Sequence, residues 1–279
     1  MQAQTNTTLD AFQRWLSQAE RSPGTMEKYL RDVNAFLRWL GDRELTKQSA
    51  ADWKAFLTQQ RYAPATINSM LVALNTYLSF IGRPDCKVKQ LRLQRRLFRE
   101  QTRELSREEY QRLLDTAHRL GRERLALLME TICATGIRVS ELRYITVESL
   151  AAGRTEIALK GKIRTILLPT KLCRKLRKYA KKQKIVSGEI FLTRNGKPLS
   201  RKQIWAEMKA LCQASGVAPT KVFPHNLRHL FARTFYRACR DVSRLADVLG
   251  HSSLETTRIY LISSGAEHVR QLDRLGLVS

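Results

Sequence analysis

Four residues toward the C-terminus carry side chains suited to gripping and attacking an anion: His225 and Arg228 in Pro224-His225-Asn226-Leu227-Arg228-His229, His251 in Leu249-Gly250-His251-Ser252, and Tyr260. With Pro224 in the first turn of a helix, His225 and Arg228 fall three apart and leave the same face. Asp241 or Ser243 can cap a short helix that Gly250 ends. Ser252 with Glu255 has the Ser-x-x-Glu pattern of a capping box, opening a further helix that runs to Tyr260. His251 then sits in the corner between the two helices. One guanidinium, two imidazoles and a phenol can converge on a single anion in that arrangement.

Two further cations belong to the elements that must position this group. Leu125 to Ala134 is the most apolar stretch of the chain and fits a buried helix, which Gly136 stops in the left-handed conformation. Arg138 follows at once, held at a sharp turn, with Glu141 in reach as an ion-pair partner where Ser140-Glu141-Leu142 opens another helix. Residues 156–159 and 163–168 are β-rich, and Lys160-Gly161-Lys162 between them gives a hairpin with a basic tip. From Lys171 to Lys184 eight residues in fourteen are basic and none is acidic. A helix so charged repels itself unless something anionic lies along it. Glu189 to Thr193 reads as a short strand before the turn at Asn195-Gly196, and helices resume after it.

The first 82 residues are organised differently. From residue 7 to about 81 the apolar spacing is helical throughout. One helix opens at Thr8-Leu9-Asp10, a second is capped by Thr25, a third follows Ser49 or Ala50, and a fourth begins near Pro64. Together they predict a small four-helix bundle with an aromatic core. From Gly82 to Glu104 the periodicity fails and basic residues dominate, the composition of a linker, whether a solvated tether or a strap across a polyanion. Ser106 with Glu109 caps the first helix of a second domain, so the expected division is 1–82, a linker 83–104, and 105–279.

Composition narrows the partners. Among 279 residues, 50 Lys+Arg face 25 Asp+Glu, a formal charge of +25, which implies a polyanionic partner, nucleic acid first. No run of about 18 apolar residues suggests a membrane span, and the start has neither a basic n-region nor an apolar h-region. A cytoplasmic, nucleoid-associated protein is expected. The five scattered cysteines lack any C-x-x-C pair and suggest neither zinc nor disulfides. No phosphate-binding loop or dinucleotide fingerprint is present, so no cofactor is expected.

Taken in order, these pieces resemble the tyrosine recombinase (phage integrase) family. Thr135-Gly136-Ile137-Arg138-Val139-Ser140-Glu141-Leu142 is similar to its first arginine box, and His225-Asn226-Leu227-Arg228-His229 to its H-x-x-R box. Leu249-Gly250-His251-Ser252 through Thr257-Arg258-Ile259-Tyr260 is similar to the third box, which carries the nucleophile. The likeness spans residues 105 to about 265, and the N-terminal bundle is similar by layout to the family's core-binding domain. The resemblance implies a mainly α protein, a SAM-like four-helix bundle followed by an α-rich catalytic domain with a small β-hairpin, in the compact Xer-like arrangement.

It also implies an activity: cutting and rejoining duplex DNA at specific sites through a 3′-phosphotyrosyl intermediate and a Holliday junction, with neither metal nor ATP. Tyr260 is the implied nucleophile, and Arg138 and Arg228 the phosphate clamps. His225 is the implied acid/base for the phenol, His251 a donor to a phosphate oxygen, and the hairpin lysine the acid for the leaving 5′-hydroxyl. The family's Gly-Lys-Gly turn is replaced here by Leu159-Lys160-Gly161-Lys162; Lys160 is preferred and Lys162 stays open. The partners implied are duplex recombination sites and further copies of the chain, a homotetramer on synapsed DNA and a monomer in solution. A tail helix over Ser264 to Leu275 docks either on its own domain or on a neighbouring protomer. The competing reading is a non-catalytic DNA-binding protein, architectural or regulatory; a weaker one is a type IB topoisomerase.

Overall fold

The computed structural model describes residues 2–93, 103–159, 162–251, 253–258, 260, 269 and 273–276. Backbone contacts divide the chain into two units, Met1–Arg95 and Arg96–Ser279.

The first unit holds α1 (Gln2–Gln18), α2 (Pro23–Leu40), α3 (Lys47–Gln59) and α4 (Pro64–Phe80). α1 starts well before Thr8, because its polar first turns have no apolar spacing to announce them. α2 starts at Pro23, not after Thr25. Proline suits a first turn, where its missing N–H leaves no carbonyl unpaired, and Ser22 precedes it as the cap residue. α3 is opened one turn earlier than expected by a reciprocal box between Thr46 and Ser49. Phe36, Trp53, Leu57, Ile67, Leu71 and Leu74 fill one core, and Phe12, Leu16, Val33 and Tyr77 a second.

The first part of the stretch read as a linker is held against the first unit. Cys86 and Val88 are buried in the first core. Asn75 Nδ2 donates to Val88 O at 2.9 Å while its Oδ1 accepts from Val88 N at 3.0 Å. Two helical turns earlier, Asn68 makes the same pair with Leu91, at 2.9 and 2.7 Å. Two carboxamides thus stand in for a neighbouring strand. At the far end Leu105 is buried in the second unit. Residues 94–102, with Arg95, Arg96 and Arg99, lie outside the described residues.

The second unit comprises α5 (Arg107–Arg119), α6 (Glu123–Thr135), a 3-10 turn Val139–Tyr144, α7 (Val147–Ala152), β1 (Arg154–Leu159), β2 (Lys162–Leu167), α8 (Thr170–Lys182), α9 (Arg201–Lys209), α10 (Cys212–Ser215), α11 (Pro224–Cys239), α12 (Val242–Leu249) and α13 (Leu254–Arg258). The Ser106–Glu109 box opens α5. Apolar on nearly every side, α6 is the central helix, packed against α5, α8 and α11. β1 and β2 pair antiparallel from Arg154↔Leu167 to Leu159↔Lys162; Lys160 and Gly161, the expected basic tip, lie outside the described residues.

Three local expectations are corrected. Glu189 to Thr193 is not a strand; only the isolated bridges Thr146↔Glu189 and Leu192↔Pro198 form there. The charge on α8 is answered in part by the protein itself, since Lys175 pairs with Glu130 at 2.5 Å and Lys182 with Glu123 at 2.8 Å, both carboxylates on α6. α13 ends at Arg258, and Tyr260 follows in a turn whose N–H donates to Thr257 O at 2.9 Å. Ser252, assigned from sequence to that helix's cap, lies outside the described residues, as does most of the tail from Ser264 to Leu275. Among the described residues no helix is long and apolar enough to cross a membrane.

Candidate active site

Arg228 is the hub. It projects from the second turn of α11 and is 2% exposed. A buried guanidinium must spend its donors, and this one does. NH1 donates to Gly136 O, NH2 to Leu249 O at 2.9 Å, and Nε to the Tyr260 hydroxyl at 3.4 Å. Both carbonyls lie at helix C-termini, where the macrodipole favours a cation. Gly136 caps α6 at φ +65° and Gly250 caps α12 at φ +62°, conformations that cost a side chain. A Cβ on Gly136 would also collide with the ring of Phe231 on α11. That close approach lets the Gly136 carbonyl reach Arg228.

His251 lies 2.8 Å from Arg228 NH2 through Nε2 and 2.8 Å from Thr257 Oγ1 through Nδ1. A guanidinium only donates, so Nε2 accepts and Nδ1 carries the proton, donated to Thr257. Burial, then the charges of Arg228, Arg138 and Arg164, push the pKa of His251 down to about 4. The ring is therefore neutral at pH 7. Its folded pKa lies below the free imidazole value of about 6.5, so this group contributes fully to stability above that pH and loses the contribution as pH falls toward 4.

Thr257, fully buried, accepts the hydrogen bond from His251 Nδ1 and anchors the ring. Thr257→Val is expected to leave a buried N–H without its acceptor and to lower stability by about 1–3 kcal/mol in denaturant titrations. The imidazole nitrogen shifts of His251 are expected to report the same single tautomer in that variant as in Thr257→Ser, because Arg228 still donates to Nε2.

Tyr260 is 5% exposed, packed with Ala232, Leu245 and Leu249. Its ring centroid lies 5.5 Å from that of His251, 4.4 Å from His229 and 5.9 Å from His225. The ring of His229 is thus closer to the phenol ring than that of His225, which stands exposed at the start of α11 and meets His229 edge to face.

Arg138 faces outward, its side chain 44% exposed, and is braced by Glu141. Arg138 NH1 donates to Glu141 Oε1 at 2.8 Å, and its backbone N–H to Oε2 at 2.7 Å. Glu141, only 2% exposed, takes a second cation that the sequence reading missed, Arg164 of β2, at 3.1 Å. The available signal was an arginine in phase with the buried Ile166 and Leu168 along the strand. Lys160 lies outside the described residues. Lys162 is placed by its backbone as the first residue of β2, opposite Leu159.

The structure therefore brings Arg138, Arg228, His251 and Tyr260 into one network with His225 at its edge. Two guanidiniums, Arg138 and Arg164, pair with one carboxylate, and a third, Arg228, meets the phenol, an arrangement fit to receive an anion and to attack it.

Comparison with known proteins agrees in both units. Residues 103–267 match the phage integrase family, and residues 9–83 its N-terminal SAM-like domain. The chain is 30% identical to the tyrosine recombinase XerA of Thermococcus kodakarensis, with 95% of this chain and 94% of that protein covered. Against the tyrosine recombinase XerD of Xanthomonas campestris pv. campestris the identity is 29%, with 94% and 90% covered. The fold is similar to that of a lambda integrase tetramer bound to a Holliday junction, at TM-score 0.72 and 20% identity over 92% of this chain and 76% of that one. It is also similar to that of XerH bound to difH in a pre-cleavage complex, at TM-score 0.66 and 20% identity over 88% and 78%.

Proposed function

The chain belongs to the phage integrase family of tyrosine recombinases, and on that premise we propose that Tyr260 attacks a DNA phosphodiester gripped by Arg138 and Arg228. The protein is a site-specific recombinase that breaks and rejoins duplex DNA. The phenolic oxygen bonds to phosphorus, the bond to the 5′-oxygen breaks, and the DNA is left joined to Tyr260 through its 3′-phosphate. The phenol proton passes to His225, and the hairpin lysine, Lys160 or Lys162, supplies a proton to the departing 5′-oxygen. Attack by the 5′-hydroxyl of a partner strand reverses these steps. Bond energy is retained in the phosphotyrosyl linkage, so rejoining draws on no ATP.

The observation that carries this reading is the Tyr260 hydroxyl 3.4 Å from Arg228 Nε, within the same chain. A phenol has a pKa of about 10 and is a poor nucleophile at pH 7 without help. Paired guanidiniums on the non-bridging oxygens offset the charge that grows in the transition state. An arriving phosphate competes with His251 for Arg228 and favours the protonated ring, turning Nε2 from acceptor to donor. A non-catalytic clamp gives no reason for a phenol at this arginine, and nothing in the site favours it.

The same reading assigns residues 1–82 to core-site binding, 105–279 to chemistry, and the basic residues of 83–104 to the DNA backbone, where each contact releases counterions. It places the protein in the cytoplasm beside the chromosome, as a homotetramer on synapsed sites. Incubation with a pool of nicked duplexes randomised around the nick, in EDTA and without ATP, is expected to give a protein–DNA adduct that survives SDS and has its DNA attached by the 3′ end. Attachment by the 5′ end, or adduct only with added metal, overturns the mechanism.

A further inference from the structure

One buried cation has no part in that scheme. Arg164, on β2, has a side chain only 11% exposed. Its NH2 donates to Glu141 Oε2 at 3.1 Å, the oxygen that also accepts from the Arg138 backbone. Its NH1 donates to Leu249 O, the carbonyl that also accepts from Arg228 NH2. Each arm of one planar fork therefore ends on the brace of a different phosphate-clamping arginine.

The fold makes room for this at a cost. Gly250 has φ +62°, and a Cβ there would overlap the Arg164 side chain. Arg164 Nε is buried without a hydrogen-bond partner, and burial lowers the group's pKa to about 10. A desolvated third guanidinium close to two others is an expensive way to pin a hairpin to a domain, since an apolar side chain in phase with Ile166 and Leu168 does that with no charge to bury. A rigid fork, by contrast, sets the separation of the two groups it joins.

We propose that Arg164 is a positioning residue for phosphoryl transfer: it fixes the spacing of Arg138 and Arg228 by tying Glu141 to the Leu249 carbonyl, and so couples the hairpin to the phosphate grip. This rests on the recombinase reading above. Lysine keeps the charge but is a point donor and cannot span both anchors.

The test is a double-variant cycle on a nicked duplex recovered from the randomised pool, with adduct formation followed in single turnover at saturating DNA. Arg164→Met and Arg164→Lys are each expected to slow adduct formation by about 100-fold, the effect of a small misplacement of reacting groups, with the DNA dissociation constant within about twofold of wild type. In an Arg138→Ala background the same changes are expected to cost less than about tenfold, because the group being placed is already gone. A purely structural role predicts the same factor in both backgrounds, and that result overturns the proposal. So does a wild-type rate in both Arg164 variants. Should Arg164→Met fail to fold, as read by its melting transition, Arg164→Lys carries the comparison alone. If wild type forms no adduct, the recombinase reading falls and this one with it; if wild type reacts and the cycle is additive, only the role of Arg164 is lost.

Discussion

Tyr260→Phe is expected to abolish covalent attachment to DNA and to leave DNA binding unchanged. The phenyl ring keeps the packing against Ala232, Leu245 and Leu249. What goes is one hydroxyl and its 3.4 Å bond from Arg228, worth about 1 kcal/mol of stability or less. The nucleophile itself is lost, and the rate is expected to drop to background, about 10⁶-fold where catalytic nucleophiles have been removed from other enzymes. Binding is dominated by phosphate contacts, so the dissociation constant and its salt dependence stay with wild type. Denaturing gels on the nicked duplex read the first effect and mobility shifts at fixed salt the second. An adduct undiminished in Tyr260→Phe removes Tyr260 from the mechanism.

Arg228→Lys is expected to have the next largest effect, about a 10³-fold fall in adduct formation, since a preorganised donor to the phosphoryl oxygens is removed from a water-poor site. The charge survives, but a single ammonium cannot serve Gly136 O, Leu249 O, His251 Nε2 and Tyr260 together. Buried acceptors lose their donor, so stability is expected to fall by about 1–3 kcal/mol, read by guanidinium chloride unfolding. The two readouts separate the roles. A fall in stability with an unchanged rate assigns Arg228 to the fold alone.

Arg228 shows how the site's chemistry and its architecture share one side chain. The guanidinium that closes the ends of α6 and α12 is the one that meets the phenol. The left-handed glycines answer the carbonyls of Ile132 and of Ala246 and Asp247 with their own N–H groups, and Arg228 takes the carbonyls left at the two helix ends, Gly136 O and Leu249 O.

Much of this was legible in the sequence because it depends on near neighbours. The reciprocal box at Ser106 and Glu109, the cap at Asp241, the stops at Gly136 and Gly250, and the bracing of Arg138 by Glu141 all act within a few residues. The three boxes fixed the family for a similar reason, since residue type and spacing suffice to state them. Other features depended on partners far apart in sequence. Arg164 meets the Leu249 carbonyl across 85 residues and Arg228 meets Gly136 across 92. The acceptors there are backbone carbonyls, which every residue carries and no sequence pattern marks. The His251 tautomer, the hold of Asn68 and Asn75 on the interdomain stretch, and the second duty of Glu141 arise in the same way. Local chemistry is written in residue types, whereas the order in which buried donors and acceptors are shared is settled only when the chain has packed and each group must find a partner.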